Sequence, residues 1–262
     1  MTRPKTSKTE AVILRQVPSG EADALLVLFT PERGKVRAMA RGVRRPSSKL
    51  GGHLEPLDRA TLLLAQGQNL DVVAQAHLLH SNLGLRGSLE ALACGWYLAD
   101  LVDAFTPDEA PNPALYDLLV EALGWLEESP QPALLLRWFE LQLLGLTGYR
   151  PEVYHCVACR QPLASQDHAF SLPDGGVVCP GCRSGKEASA PLSLTALKVL
   201  RYLLDNAYPE ARRLRWEAPL SQEVEGFLAQ YIRYILEREV RSAAFLHRLD
   251  SWRRQGVAPA TP

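Results

Sequence analysis

The N-terminal fold is decided by the stretch ALLVLFTPERGKVRAMARG, residues 24–42. Its first six residues form a continuous apolar run, which is typical of a buried strand. Pro31 and Gly34 then supply the backbone geometry of a turn. After the turn, Lys35, Arg37 and Arg41 alternate with small apolar residues, as on a strand with one polar face. The stretch therefore predicts a β-hairpin with a basic second strand.

Three more candidate strands flank this hairpin. The five predicted strands are residues 10–17, 24–29, 35–42, 60–66 and 70–79. Five short strands separated by turn signals fit a small closed barrel, and the five-stranded OB-fold is the expected form. A two-sheet sandwich is the alternative.

The hydrophobic period changes to that of helices after about residue 86, where Leu89, Leu92, Trp96 and Ala99 recur at helical spacing. The predicted helices cover this segment and residues 114–126, 133–146, 195–206, 221–238 and 243–249. We therefore expect an α+β protein of two domains. Residues 1–80 would form an OB-fold β-barrel, and residues 81–262 a helical domain.

Four of the five cysteines form two CxxC pairs, at Cys156 and Cys159 and at Cys179 and Cys182. Two such pairs at this separation predict one tetrahedral zinc ion held by all four thiolates. A closed site of this kind has no open position for a substrate, so the metal is expected to be structural. Two disulfides, or a redox pair, are the alternatives, and an intracellular setting disfavours the first. The zinc finger would be an insert at about residues 153–186.

The other residues near this insert receive simpler interpretations. Arg160, Arg183 and Lys186 could offset the charge of four thiolates or contact DNA, and we favour the first role. His155 is interpreted as a bystander to the site. Cys94 lies among apolar residues and is expected to be a core residue.

The charge is unevenly distributed although its sum is zero. Residues 1–80 carry 12 basic and 7 acidic side chains, whereas residues 81–150 carry 3 and 10. This asymmetry suggests a polyanionic partner for the basic parts. We find no signal peptide and no apolar run of membrane-spanning length, which predicts a soluble protein of the cytoplasm.

The segment 33–49 contains seven basic residues and no acidic one. They are Arg33, Lys35, Arg37, Arg41, Arg44, Arg45 and Lys49. Such a run on a strand and the following loop predicts a groove that follows a nucleic-acid backbone. The alternative is a solvated edge strand protected by its charge.

The predicted barrel has few aromatic residues on which bases could stack. Its one Phe, Trp or Tyr residue is Phe29, which is expected in the core. Further basic patches with aromatic residues occur near the C-terminus, and either DNA contact or ordinary surface would explain them. These patches are Arg212, Arg213, Arg215 and Trp216, and Trp252, Arg253 and Arg254.

No catalytic motif stands out. The sequence lacks a nucleotide-binding loop as well as HExxH, GxSxG and GxGxxG motifs. Carboxylate pairs such as Asp108 and Glu109 fall at helix ends or in loops, where solvated charge is the ordinary interpretation. We expect a binding protein and not an enzyme.

Several N-terminal motifs together resemble the RecO family of DNA repair proteins. They are TEAVILR at residues 9–15, EAD at 21–23, TPERGK at 30–35, ARGVRR at 40–45, SSKL at 47–50 and LEP at 54–56. The cysteines are similar to those of zinc-bearing members. The resemblance extends through the helical region and is weakest after about residue 190.

The resemblance implies an OB-fold followed by a helical domain, and a role as recombination mediator. A protein of this kind would bind single- and double-stranded DNA, anneal strands, and help RecA replace single-strand-binding protein. RecR is the protein partner that the resemblance implies, and the bacterial cytoplasm and nucleoid are the implied location. The alternative functions are a zinc-stabilised protein-interaction scaffold with no direct DNA role, and a zinc-containing transcription factor.

Overall fold

The computed structural model describes residues 6–129, 131–183 and 189–254, apart from a few side chains near its end. The chain divides into two compact units. Unit 1 comprises residues 1–128 and 240–262, and unit 2 comprises residues 129–239.

Unit 1 begins with five strands that close into a barrel in the order β1-β2-β3-β5-β4. The strands are β1 (Thr6–Ser19), β2 (Asp23–Thr30), β3 (Gly34–Ala40), β4 (Arg59–Ala65) and β5 (Asp71–His80). Strands β3 and β5 pair in parallel, and the other neighbours are antiparallel. The predicted OB-like barrel is confirmed, and the alternative of a two-sheet sandwich is wrong.

The barrel is held together by an apolar interior to which every strand contributes. Ile13, Leu26, Val36, Leu62 and Val73 are examples of these buried side chains. The alternation predicted for β3 explains its contribution, because Val36, Ala38 and Ala40 face inward together. A shift of register in β1 between Ile13 and Arg15 bends the strand, as bulges do in barrels.

Four α-helices complete the described part of unit 1. They are α1 (Leu83–Arg86), α2 (Leu89–Phe105), α3 (Pro113–Glu128) and α8 (Ala243–Arg254). Helix α2 begins where the Ser88 side chain accepts a hydrogen bond from the Ala91 N–H, as a helix cap does. Cys94 is buried in α2, as predicted for a core residue. Phe29 is buried and lies 6.4 Å from the Tyr116 ring of α3, measured between ring centroids.

Unit 2 combines helices with a small sheet. Its helices are α4 (Pro132–Leu146), α5 (Leu194–Asp205), α6 (Tyr208–Ala211) and α7 (Leu220–Leu236). Its strands are β6 (His168–Ser171), β7 (Gly176–Val178) and β8 (Ser189–Leu192), in the order β7-β6-β8. The sequence analysis did not predict this sheet, because strands of three or four residues are too short to show a period. Phe170 of β6 packs on Phe227 and Tyr231 of α7.

The two units do not coincide with the predicted domains 1–80 and 81–262. The barrel ends where predicted, but α1, α2, α3 and α8 belong to the same compact unit as the barrel. The domain division at residue 80 stays a prediction. Among the helices of the described residues, none is both long and apolar enough to cross a membrane.

Candidate metal centre and basic surface of the barrel

The four predicted zinc ligands lie together in unit 2. The Sγ atoms of Cys156, Cys159, Cys179 and Cys182 all lie within 4.8 Å of one another. The Cys159 and Cys179 sulfurs are 3.9 Å apart. Zinc–sulfur bonds of about 2.3 Å in a tetrahedron place sulfurs roughly 3.8 Å apart. The cluster therefore has the dimensions of a four-cysteine zinc site.

Two tight turns bring the sulfurs together. In the first, the Arg160 N–H donates to the Cys156 carbonyl at 2.8 Å, and Arg160 takes a positive φ of 62°. In the second, Cys179 follows β7, and a single 3-10 turn over Pro180–Cys182 carries the Cys182 N–H to the Cys179 carbonyl at 3.0 Å. Each turn aims the two sulfurs of one CxxC pair at the same point.

The thiol pKa values show why this cluster suits a cation. Burial raises the pKa of Cys156, but the backbone N–H groups of Cys159, Cys179 and Ala158 outweigh burial and lower it to about 6. Hydrogen bonds with Cys179 and Cys159 raise the pKa of Cys182 to about 12. One thiolate is thus stabilised while further ionisation is opposed. Four thiolates so close together repel one another unless a cation is bound, and four sulfur donors in a tetrahedron suit zinc or iron.

The structure places two of the three basic neighbours and His155 beside the cluster, and their roles stay predictions. His155 lies outside the group of four sulfurs, and its Nδ1 is 3.8 Å from a Glu152 carboxylate oxygen. Arg160 and Arg183 are exposed beside the two turns. Lys186 lies outside the described residues.

The seven basic residues of the segment 33–49 fall into two groups. Four of them lie at or after the end of β3 and are exposed: Arg41, Arg44, Arg45 and Lys49. Within the described part of the chain, these four side chains form no ion pair. The loop that carries them is ordered by hydrogen bonds from Arg44 to the Ala22 and Gly20 carbonyls and from the Gly42 N–H to Asp23.

The other three basic residues are paired with carboxylates. Arg33 contacts Asp71 at 2.5 Å and Glu109 at 2.7 Å. The Lys35 ammonium lies 3.0 Å from an Asp103 carboxylate oxygen. Arg37 contacts Asp108 at 3.1 Å. Asp103, Asp108 and Glu109 are 68 to 76 residues from their partners in the sequence, and Asp71, at the start of β5, is 38 residues from Arg33, so no local pattern could have revealed the pairs.

The structure changes the interpretation of three side chains. Lys35 has only 8% of its side chain exposed and also donates to the Asp103 carbonyl at 2.6 Å, which argues against a direct contact with phosphate. Asp108 and Glu109, interpreted from sequence as solvated charge, are ion-pair partners of the barrel. A contact role for Arg33 and Arg37 stays a prediction.

The C-terminal basic patches are less well defined. Arg212, Arg213 and Arg215 are exposed after α6, and Arg215 pairs with Glu217 at 2.9 Å. Trp252, Arg253 and Arg254 form the end of α8, and their side chains lie outside the described ones. Whether either patch contacts DNA stays a prediction.

The fold and the cysteine cluster define a class of proteins, in which an OB-like barrel precedes a helical region with an inserted four-cysteine centre. Two family descriptions match the chain: Recombination protein O N terminal over residues 1–82, and Recombination protein O C terminal over residues 86–244. The chain belongs to the RecO family, as the resemblance predicted.

Individual relatives agree with this assignment. A protein of Dehalococcoides mccartyi strain BAV1 is 38% identical over 95% of this chain and 98% of its own length. A protein of Roseiflexus sp. is 39% identical over 93% of this chain and 86% of its own length. A protein of Desulforudis audaxviator is 38% identical over 94% of this chain and 98% of its own length. Each carries the name DNA repair protein RecO.

Proposed function

We propose that this protein is a DNA-binding mediator of recombinational repair that does no chemistry on the DNA. The observation that carries the proposal is the agreement of the family descriptions and relatives over both the barrel and the helical region. The OB-like barrel supports it, because this fold often binds single strands along strands 2 and 3 and the adjoining loops.

The DNA contact is assigned first to the exposed group Arg41, Arg44, Arg45 and Lys49. These cations have no carboxylate partner among the described residues, so they are available to phosphate. Phe29 is buried, which leaves the described barrel strands without an aromatic platform for bases. Affinity should therefore come from phosphate neutralisation and counterion release, and should depend little on base sequence or strandedness.

The test is the salt dependence of binding. Replacing Arg44 and Arg45 with alanine should reduce the log–log slope on single strands by about one to two units and weaken all sequences alike. The matched variant K198A/R238A removes the same charge from exposed positions in unit 2 that lie outside the predicted basic patches, and should change the slope much less. A flat slope for the unmodified protein, or a loss confined to one sequence, would show that the electrostatic proposal is wrong.

The metal is proposed to be one structural zinc ion held by Cys156, Cys159, Cys179 and Cys182. When bound, zinc neutralises thiolates and links the two turns into one unit. The four sulfurs occupy every tetrahedral position, so these residues hold the fold and leave no site for substrate.

The finer role is proposed from the family. The protein would bind single- and double-stranded DNA, anneal complementary strands, and with RecR help RecA load onto DNA covered by single-strand-binding protein, in the cytoplasm at the nucleoid. A direct test is annealing of complementary oligonucleotides, together with RecR capture by the full chain. The full chain is needed because a fragment of residues 81–262 would divide unit 1. Failure of both assays would contradict the mediator role.

A protein-interaction scaffold is the second candidate. The pairing of Arg33, Lys35 and Arg37 with carboxylates favours it, because it reduces the free positive charge on the barrel. A scaffold should capture RecR without binding DNA at low salt, and that result would separate the two functions.

A further inference from the structure

The segment 106–110, between α2 and α3, lies along β3 of the barrel. Asp108 forms a parallel β-bridge with Lys35, and the Glu109 N–H donates to the Lys35 carbonyl at 2.8 Å. The backbone of Ala110 packs so closely on Gly34 that a Cβ at this glycine would collide with it. We call this segment the acidic strap.

The carboxylates of the acidic strap occupy cations of the barrel. Asp108 contacts the Arg37 Nε atom at 3.1 Å, and Glu109 contacts the Arg33 Nη2 atom at 2.7 Å. A phosphate oxygen would bind these guanidinium groups at similar distances. The strap carboxylates therefore occupy donor atoms of these guanidinium groups that a phosphate could otherwise use.

The location agrees with a nucleic-acid site. A cleft of about 440 Å³ is bordered by Arg33 and Arg37, the β4–β5 loop at 66–70, and the strap itself. In OB-folds, β3 and the loop between β4 and β5 contribute to the surface that binds oligonucleotides. The strap thus lies at the edge of the surface on which a strand is expected.

The exposure of the side chains distinguishes the ion pairs that a phosphate could displace from those that it could not. The side chains of Arg37, Asp108 and Glu109 are 47%, 48% and 51% exposed, so water and salt screen the pair of Arg37 with Asp108 and little free energy opposes its exchange. Arg33 is 20% exposed and keeps its second partner, Asp71, when Glu109 is displaced, so it offers phosphate only the Nη2 side that Glu109 now occupies. The pair of Lys35 with Asp103 is mostly buried and keeps this part of the barrel on α2.

We propose that Arg33 and Arg37 form a masked phosphate-binding site, which the acidic strap covers and which a nucleic-acid backbone opens by displacing Asp108 and Glu109. The inference rests on the proposed DNA-binding function and adds regulation to it. Single strands reach the site only after carboxylate and phosphate have competed for the same two arginines. The strap lowers affinity at Arg33 and Arg37 without affecting Arg44 and Arg45.

The test is the double variant D108N/E109Q, which keeps the shape of the strap and removes its charge. Affinity for an oligothymidine strand should rise roughly 5- to 20-fold at low salt, and the log–log salt slope should steepen by about 0.7 to 1.4 as one or two phosphates are added. The control D117N/E121Q removes the same charge from exposed positions of α3 in the same unit. It should raise affinity only about twofold, because salt screens distant charges.

A further substitution tests whether the gain in DNA affinity depends on Arg37. Adding R37Q should change the affinity of the unmodified protein little, but should remove at least half of the gain of D108N/E109Q. The single variants D108N and E109Q, with melting curves, replace the double variant if it does not fold. Equal affinities for D108N/E109Q and D117N/E121Q, or a gain that R37Q leaves intact, would overturn the masked site.

The outcomes also separate this inference from the proposed function. If the unmodified protein binds DNA through Arg44 and Arg45 while the strap variant equals its control, only the masked site is wrong. If neither the unmodified protein nor any strap variant binds DNA at low salt, both proposals are wrong.

Discussion

Tyr116 shows at the scale of one residue how a polar group can be buried without a partner. Its side chain lies in the interior of unit 1, and its hydroxyl has no hydrogen-bond partner among the described residues. Burial raises the pKa of this phenol well above its usual range. An unsatisfied buried hydroxyl costs free energy, because it gives up hydrogen bonds to water and gains none.

We expect Tyr116→Phe to leave the free energy of unfolding unchanged or to raise it by about 1 kcal/mol. The matched substitution is Tyr208→Phe, because the Tyr208 hydroxyl lies 2.9 Å from the Ser129 hydroxyl. It should lower the free energy of unfolding by about 1 kcal/mol. Chemical denaturation of both variants measures the difference, and equal losses would contradict the assignment of an unsatisfied hydroxyl.

The turn between β2 and β3 shows how one element depends on another. Gly34 has a positive φ of 65°, which favours glycine, and it also packs on the backbone of Ala110. Gly20, in the turn between β1 and β2, has the same φ but no atom within 4 Å of the position of a Cβ. Alanine substitution at these two glycines therefore distinguishes the cost of a strained backbone from the cost of a collision with Ala110.

Gly20→Ala should lower the free energy of unfolding by about 1 kcal/mol, the usual cost of a left-handed backbone for alanine. Gly34→Ala should cost about 3 kcal/mol or more, since the strap must also move away. Thermal and denaturant unfolding report both values. A Gly34→Ala variant no less stable than Gly20→Ala would show that the approach of Ala110 is not needed.

The metal centre is the second element that a substitution can test. Purified protein should carry about one zinc ion per chain, and Cys156→Ala should lose the ion and lower the melting temperature, because site formation is coupled to folding. Cys94→Ala removes a buried thiol from α2 and should keep the zinc, with only a modest loss of stability. Elemental analysis that finds no zinc in freshly purified, unmodified protein would contradict the metal proposal.

At the scale of the whole molecule, the barrel depends on helices that follow it. The Lys35 ammonium lies 3.0 Å from Asp103 of α2, and the Asn82 side chain donates to the Leu57 carbonyl at 2.7 Å. A fragment of residues 1–80 lacks both partners. The fragment 1–128 retains them together with α1, α2 and α3.

We expect the fragment 1–128 to unfold at a clearly higher denaturant concentration than the fragment 1–80, because its apolar and ionic contacts to α2 remain. Lys35→Met supplies the control. It should change the stability of the longer fragment, in which Lys35 is paired, and leave the shorter one nearly unchanged. Equal midpoints for the two fragments would show that the barrel is independent of these helices.

Much of this architecture could be predicted from the sequence because its signals are local. The strands follow from apolar runs, alternation and turn residues, and the cluster of four cysteines follows from the spacing within each CxxC pair. The sheet of unit 2 escaped detection, since its strands have only three or four residues. The clustering of the four cysteines was predicted because each CxxC pair forms a local turn that aims two sulfurs at one point.

The sequence by itself determined the five barrel strands, the helical region, the four clustered cysteines and the family, because periodicity and motif spacing do not depend on distant parts of the chain. Only the tertiary structure decided which basic residues are free. Lys35 and Asp103 are 68 residues apart, and folding brings the ammonium and carboxylate to 3.0 Å. Arg37 and Asp108 are likewise joined only when the strap lies along β3. The basic residues along a strand can be counted from the sequence. Whether carboxylates neutralise them depends on distances that only the folded chain sets.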